Sequence, residues 1–550
     1  MIETSIPVLI VGGGPVGLTL SIDLSKRGVR SLLVDSRSRE ARAEHPRMDQ
    51  VSIRSMEHIR RWGELEEVYA AGYPREMTRD TVFATAVLGY ELEREPMQAD
   101  AIRPSPQFSP QKHELCPQNF FDPALQRIAL RQPLSSLRYN VKLVGFLERE
   151  DGVVARLEDV ETGMHTEVFT QFLAACDGAN SFVAKELGFG SRNEALLAQS
   201  TNVFVRSPAL TELANTRPAY RYVLIGEEGV WGSMVNLSGR DVWRLQVLNV
   251  PDEQPWSDAE VHAAIVRAIG AQIEYELLSI VPWLRREMVR DRFASERCFL
   301  VGDAAHQLSP TGGYGMTTGM GEAFDLSWKL AAVLQGWGGN DLLGSYEAER
   351  RPVALRNVAF ATANFRRMCE VRKLPGLFGT GQQGEAVRAH AGKAIREAMG
   401  GEWESMGIHL GYSYEGSPIV VTEETSPPAD SPFNYRQTSR PGARAPHVWL
   451  KSDQSTLDLF GSGFVLLVFT DRVDPEPLRQ AAELRGVPLR IERIDHEAAA
   501  RAYERAMVLV RPDGHVAWRG DSLDQDALAI IDRVRGRTYK MSEESRAVQP

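Results

Sequence analysis

The stretch Val8-Leu9-Ile10-Val11-Gly12-Gly13-Gly14-Pro15-Val16-Gly17 decides the fold. Its first four residues form an unbroken apolar run, which suits a parallel strand buried on both faces. Gly12 to Gly17 then read as a turn, and Pro15 to Lys26 carry helical spacing with Leu18, Ile22 and Leu24 inward. A second apolar strand, Ser31 to Val34, ends in Asp35. In this setting Gly12-x-Gly14-x-x-Gly17 is a dinucleotide turn. Gly12 permits the tight bend, Gly14 lets backbone approach a pyrophosphate, and Gly17 lets helix and strand pack closely. With Pro15 and Val16 these residues place a helix N-terminus against the phosphates. Asp35 stands where it can accept hydrogen bonds from ribose hydroxyls. The fingerprint alone does not choose between NAD and FAD.

Working outward, the texture changes to alternation between about Asn202 and Val250. Tyr220 to Ile225 and Val242 to Leu248 mix aromatic, arginine and aliphatic residues at period two, as an antiparallel sheet does. Glu260 to Leu278 reads as an amphipathic helix. Cys298 to Val301 returns to buried-strand character, followed by a glycine-rich loop and a helix from about Met316 to Leu334. Leu342 to Arg367 also reads as helical, against the objection of Pro352. Ser426 to Pro432 resembles a linker. Beyond it come a strand (Phe464 to Phe469), a helix (Pro475 to Arg485), a strand (Leu489 to Ile494) and a hairpin around Arg511 to Gly514.

Composition narrows the function. The chain has 550 residues, 43% hydrophobic and 25% charged, with a formal net charge of −10. Its basic residues are scattered, so neither nucleic acid nor an anionic membrane is an expected partner. Cys116, Cys176, Cys298 and Cys369 stand apart without a CxxC, which supports neither thiol redox chemistry nor a zinc knuckle, and no metal site is expected. The N-terminus lacks the pattern of a signal peptide, and the expected location is the cytoplasm.

Two further motifs carry a family resemblance. Ala175-Cys176-Asp177-Gly178-Ala179-Asn180-Ser181 resembles the Asp-Gly motif of flavin-dependent aromatic hydroxylases such as phenol and p-hydroxybenzoate hydroxylases. Val301-Gly302-Asp303-Ala304-Ala305-His306-Gln307-Leu308-Ser309-Pro310-Thr311-Gly312-Gly313-Tyr314-Gly315-Met316 resembles their Gly-Asp segment closely. Leu326 to Ala331 and Tyr346 to Pro352 continue the likeness, which covers roughly residues 1 to 365. The resemblance implies an α/β fold: a Rossmann-like FAD-binding domain with a single dinucleotide fingerprint, an inserted antiparallel-sheet substrate domain, and a C-terminal thioredoxin-like α/β domain. The expected boundaries are 1–75, 110–182 and 285–365 for the FAD-binding part and 76–109 with 183–284 for the substrate part. A helical connector over 366–404, a thioredoxin-like domain lacking CxxC over 405–540 and a tail over 541–550 complete the chain. The C-terminal module resembles that of phenol and polyketide hydroxylases and is read as structural or dimer-supporting, so a homodimer is expected.

By the same resemblance, one non-covalent FAD is held by Gly12, Gly14, Pro15, Val16, Gly17, Asp35, Arg47, Gln118, Asp177, Gly302, Asp303, Pro310, Gly313, Gly315 and Met316. The turn from Pro310 to Gly315 leads into a helix whose N–H groups can face the flavin pyrimidine edge. His306 is read as structural. The chain departs from the family pattern at Asn180, at Thr317 and at Glu322, where the family has arginine, asparagine and aspartate. The implied reaction uses NADH or NADPH and O2 to hydroxylate a small phenolic aromatic substrate, ortho to its hydroxyl, through a flavin C4a-hydroperoxide. The alternatives are a polycyclic polyketide substrate, Baeyer–Villiger insertion, or a catalytically quiet flavin-binding protein. Asp49, Arg47 and Pro310 are the expected catalytic residues, with Asp49 as base or anchor for the phenol; the competing role for Asp49 is capping the helix that follows it. Tyr220, Tyr222, Trp231 and Arg244 are candidate substrate contacts, although aromatic residues in strands more often form core. Because all three flavin motifs end before residue 405, removing the rest of the chain is expected to leave flavin binding largely intact.

Overall fold

A computed structural model describes residues 4–40, 48–97, 107–248, 256–371, 373–523 and 525–537. The opening strand runs Ser5–Val11, the helix Pro15–Lys26 follows, and Ser31–Asp35 returns parallel beside the first strand. On its other side Ser5–Val11 pairs in parallel with His165–Ala175. That long strand carries antiparallel Val153–Asp159 along its first half and parallel Cys298–Leu300 at its end. Ser135–Tyr139 and Val141–Glu148 complete the seven-stranded sheet. Its centre is apolar on both faces, because helices from both the first and the last of these segments cover it.

A second sheet of eight strands is inserted between these segments. Its backbone is Glu276–Arg290, Ser191–Arg206, Val242–Leu248, Gly229–Asn236 and Arg221–Gly226, all antiparallel neighbours. Alternation gives it two unlike faces. One face presents Tyr222, Leu224, Trp231, Met234, Trp243 and Leu245 to Val261 and Ile265 of the helix Asp258–Ile269, forming an apolar core. The register places Ser200, Asn202, Val235, Arg244, Gln246 and Trp283 on the other face, toward the first sheet. The helix expected over Glu260 to Leu278 is shorter than its spacing suggests. A Ser257–Glu260 capping box starts it, and Gly270, at φ 84°, ends it in the left-handed conformation that glycine adopts without a Cβ penalty. Glu276–Arg290 is a strand. Pro352 does not break the helix Ser345–Glu370.

In the C-terminal part Phe464–Val468 lies parallel to Leu489–Arg493 and antiparallel to Met507–Val510, which forms a hairpin with Val516–Gly520. Helices Glu476–Leu484 and Ala527–Val534 complete this thioredoxin-like arrangement. It is fused to the rest. Trp328 and Trp337 pack against Phe464 in a shared core. Beside them Arg511 donates to Glu349 (2.5 and 2.9 Å), Asp325 (3.0 Å) and Asp513 (2.7 Å), while Lys329 donates to Asp325 and Glu349 at 2.7 and 2.6 Å. All five side chains are buried. Two cations face three carboxylates. Burial, opposed by Lys329 and aided by Glu349, pushes Asp325 up to about 7, so it is the carboxylate most ready to hold a proton. A second buried knot joins Glu57 of the helix Ile53–Trp62 to Arg444.

Candidate active site

The dinucleotide turn is as tight as its glycines imply. Gly12 has φ 109°, and a Cβ there would overlap the Cys176 carbonyl; a Cβ on Gly17 would overlap the Gly12 carbonyl. Asp35 braces the turn. Its Oδ2 accepts the Gly13 N–H at 2.6 Å and its Oδ1 accepts the Arg37 N–H at 2.9 Å. The carboxylate is thereby fixed at the end of the second strand, where the dinucleotide fold places ribose hydroxyls. The helix Pro15–Lys26 begins at Gly14 with no side-chain cap and no acidic residue in its first turn. Its first N–H groups, including that of Val16, and its positive dipole end are left for an anion.

The Gly-Asp segment meets this turn from the other side. Gly302–Ala304 form a 3-10 turn with Asp303 exposed. Glu322 holds the turn down: its Oε2 accepts the Gly302 N–H and its Oε1 pairs with His306 Nε2, each at 2.7 Å. Against burial, the Glu322 charge lifts His306 above its ordinary value. Glu322, where the resemblance leads one to expect aspartate, makes this buried brace with His306. Gly319 permits the contact, since a Cβ there would press on Val16 and on Gly302 Cα at 2.7 and 2.9 Å. Pro310 lies between Ser309 and Thr311; Gly312 and Gly313 follow at φ 99° and 71°. Gly313 opens the helix Tyr314–Leu334 with no side-chain cap and no acid in its first turn, which includes Gly315 and Met316. Two uncapped helix starts and glycine-lined approaches suit a ligand with an anionic middle and a flat ring. FAD fits these residues.

Gln118 opens the helix Gln118–Leu130. Its N–H donates to the Met48 carbonyl at 2.9 Å, and its side chain reaches Asp122 at 3.1 Å. Arg47 lies outside the described residues. Asp177 Oδ2 accepts the Val183 N–H at 3.1 Å, while Oδ1 is buried without a hydrogen bond and burial raises the carboxyl. Asp49 does not cap the following helix. Ser52 does, accepting the Ser55 N–H, and Asp49 instead makes a bidentate pair with Arg244 at 3.0 and 2.7 Å. Those residues are 195 apart in sequence, and the pair joins the edge of the flavin part to the inner face of the second sheet.

Of the sequence-derived substrate candidates, Tyr220 and Arg244 lie on this inner side. Tyr220 packs edge-on to Tyr73 at 5.0 Å, and its hydroxyl is buried without a partner. Burial pushes it well above its ordinary range, so it remains a neutral donor. Tyr222 and Trp231 are corrected: both belong to the apolar core on the opposite face. Tyr222 donates to the Arg217 carbonyl at 2.7 Å, and Trp231 lies under Arg267 at 4.1 Å. Two residues were missed. Glu402 pairs with Arg221 at 2.8 Å over the same inner face. Arg285, 3% exposed, sits against the turn that carries Pro310 and donates only to neutral side-chain oxygens. An isolated arginine in a strand and the hydroxyls flanking Pro310 were the available signals. Among the described residues no His, Cys, Asp and Glu group fits a metal, and no helix is long and apolar enough to cross a membrane.

Fold and site together define an FAD-dependent monooxygenase. Residues 5–361 match the FAD binding domain family and residues 438–537 match the aromatic-ring hydroxylase C-terminal family. The chain is 31% identical to 4-methyl-5-nitrocatechol 5-monooxygenase of Burkholderia sp, over 97% of each chain. It is 30% identical to the FAD-dependent monooxygenase apdD of Emericella nidulans, over 96% of this chain and 90% of that one. Among solved structures, RebC with bound 7-carboxy-K252c is 38% identical, with a TM-score of 0.90 over 98% of this chain and 100% of that one. The chain belongs to the FAD-dependent aromatic-ring hydroxylase family.

Proposed function

We propose that the chain hydroxylates a phenolic aromatic substrate ortho to its hydroxyl, using NADH or NADPH and O2, with FAD held non-covalently. When bound, FAD supplies the chemistry of accepting two electrons from the pyridine nucleotide and delivering them to O2. The inserted sheet, with its main strands between Ser191 and Arg290, is then the substrate part. The observation that carries this reading is the Asp49–Arg244 pair. A carboxylate beside the flavin part can accept the proton of a ring hydroxyl and fix the ring's orientation. The adjacent guanidinium stabilises the negative charge that develops on the phenolic oxygen. Tyr220 adds a neutral hydroxyl on the same side. Backbone around Pro310 supports the ring from the flavin side, with no side-chain charge of its own.

Asp49→Asn tests the role. Asparagine keeps the shape but is a poor base. With FAD content matched to the parent, hydroxylation should fall by about 10²-fold or more while nucleotide oxidation continues and H2O2 rises. A variant with the parental rate of product formation and unchanged coupling removes Asp49 from the reaction.

A further inference from the structure

Arg244 has Asp49 and Arg221 has Glu402, yet the hydrogen bonds of Arg285 end entirely on neutral side-chain oxygens. Its Nε donates to Ser200 Oγ at 3.2 Å and its Nη2 to Gln246 Oε1 at 3.0 Å. Its Nη1 reaches Ser309 Oγ and Thr311 Oγ1, both at the long distance of 3.4 Å. A guanidinium has five N–H donors, so this network leaves capacity unused. The Trp283 ring lies 4.9 Å from the same guanidinium, and its indole N–H is buried with no partner. Phe365 lies on the guanidinium as well, at 5.1 Å. A buried charge is ordinarily paired. Here burial, with the Arg221 charge adding to it and the Glu402 charge opposing it, brings Arg285 down to about 10. A cation with spare N–H capacity and an unpartnered indole N–H thus stand beside each other, two residues apart on one strand next to the turn around Pro310, and the acceptor they suit is an anion.

We propose that Arg285 and Trp283 Nε1 form a subsite for an anionic substituent of the aromatic substrate, a carboxylate above all. The subsite is separate from the Asp49–Arg244 pair that takes the ring hydroxyl. Carboxylate is the best match because it is a charged acceptor, which strengthens each hydrogen bond it takes from a spare guanidinium N–H or from the indole N–H. The inference rests on the aromatic-substrate reading above and adds to it that the preferred ring is acidic.

The test titrates holoenzyme with hydroxylated naphthoic acids and their matched primary carboxamides, reading the absorbance of oxidised flavin. Wild type should bind at least one acid about 10-fold or more tightly than its amide. Arg285→Gln should abolish that preference while changing amide affinity little. Trp283→Phe, which keeps the ring and removes the N–H, should weaken the acid selectively, and it carries the test if the arginine variant does not fold. A wild type with no acid preference across the series overturns the proposal. So does an Arg285→Gln protein that keeps the preference but shifts the flavin reduction potential equally with and without ligand, since the arginine would then serve the flavin. If amides perturb the flavin and acids gain nothing, only this subsite fails. If no aromatic ring perturbs it, the hydroxylase reading fails too.

Discussion

Gly12→Val yields protein that purifies without flavin. Gly12 adopts φ 109°, which a β-branched residue avoids, and its Cβ would lie inside the Cys176 carbonyl. Relief requires the first strand, the helix Pro15–Lys26 and the segment around Asp177 to separate. That movement removes the uncapped helix start from the phosphate position and breaks the Gly13–Asp35 brace. A control separates backbone strain from loss of the site. Gly28 also has positive φ, 78°, but its nearest neighbour is a side-chain atom at 3.7 Å. Gly28→Ala should cost about 1–2 kcal/mol of stability and keep its flavin. The check is the ratio of flavin to protein absorbance, followed by denaturation and filtration. The parent should hold about one FAD per chain, as one dinucleotide fingerprint implies, and release all of it. A flavin-replete Gly12→Val protein contradicts the placement of the dinucleotide.

Arg511→Ala destabilises the whole protein by about 3–5 kcal/mol, because it takes from Asp325, Glu349 and Asp513 the guanidinium all three share in a dry interior, while Lys329 reaches Asp325 and Glu349 alone. The same geometry reverses the expectation that the chain beyond residue 405 is dispensable. Deleting it removes Arg511 from the helices Tyr314–Leu334 and Ser345–Glu370, and the first of these starts at the flavin turn. The truncated chain should be insoluble or free of FAD. The effect has a definite pH sign. Against burial, Arg511 and Lys329 hold Glu349 at about 2, below its ordinary 4.5. A depressed carboxylate contributes its full stability above its ordinary value and loses it as pH falls through the depressed one. The gap between parent and variant should therefore narrow as pH drops from about 4.5 toward 2. Denaturant unfolding measures it. A variant within about 1 kcal/mol of the parent at neutral pH, or a soluble, yellow 1–404 chain, would refute the fused architecture.

Legibility followed the range of the interactions. The glycines of the dinucleotide turn and of the Gly-Asp segment answer to backbone geometry within a few residues, so their spacing was readable directly. Helix Pro15–Lys26 and strand Val242–Leu248 were bounded correctly for the same reason. The faces of the inserted sheet were not readable. Period-two alternation sorts Tyr222 and Trp231 from Arg244 but does not say which set meets the flavin part, and a helix at Asp258–Ile269 decides it. The pairing of Asp49 with Arg244, or of Arg511 with Glu349 162 positions away, is set by topology alone. Arg285 was missed because an arginine in an alternating strand ordinarily points to water.

The central claim, that this chain inserts oxygen into an aromatic ring, is tested most directly by isotope transfer. Holoenzyme is given NADH or NADPH, isotopically heavy O2, and a series of phenols and phenolic acids, with products read by mass spectrometry. The account predicts at least one product carrying a single heavy oxygen on the carbon beside the existing hydroxyl, formed in proportion to nucleotide oxidised. Nucleotide oxidation that ends entirely in H2O2 for every aromatic offered, or product oxygen drawn from water, would contradict it.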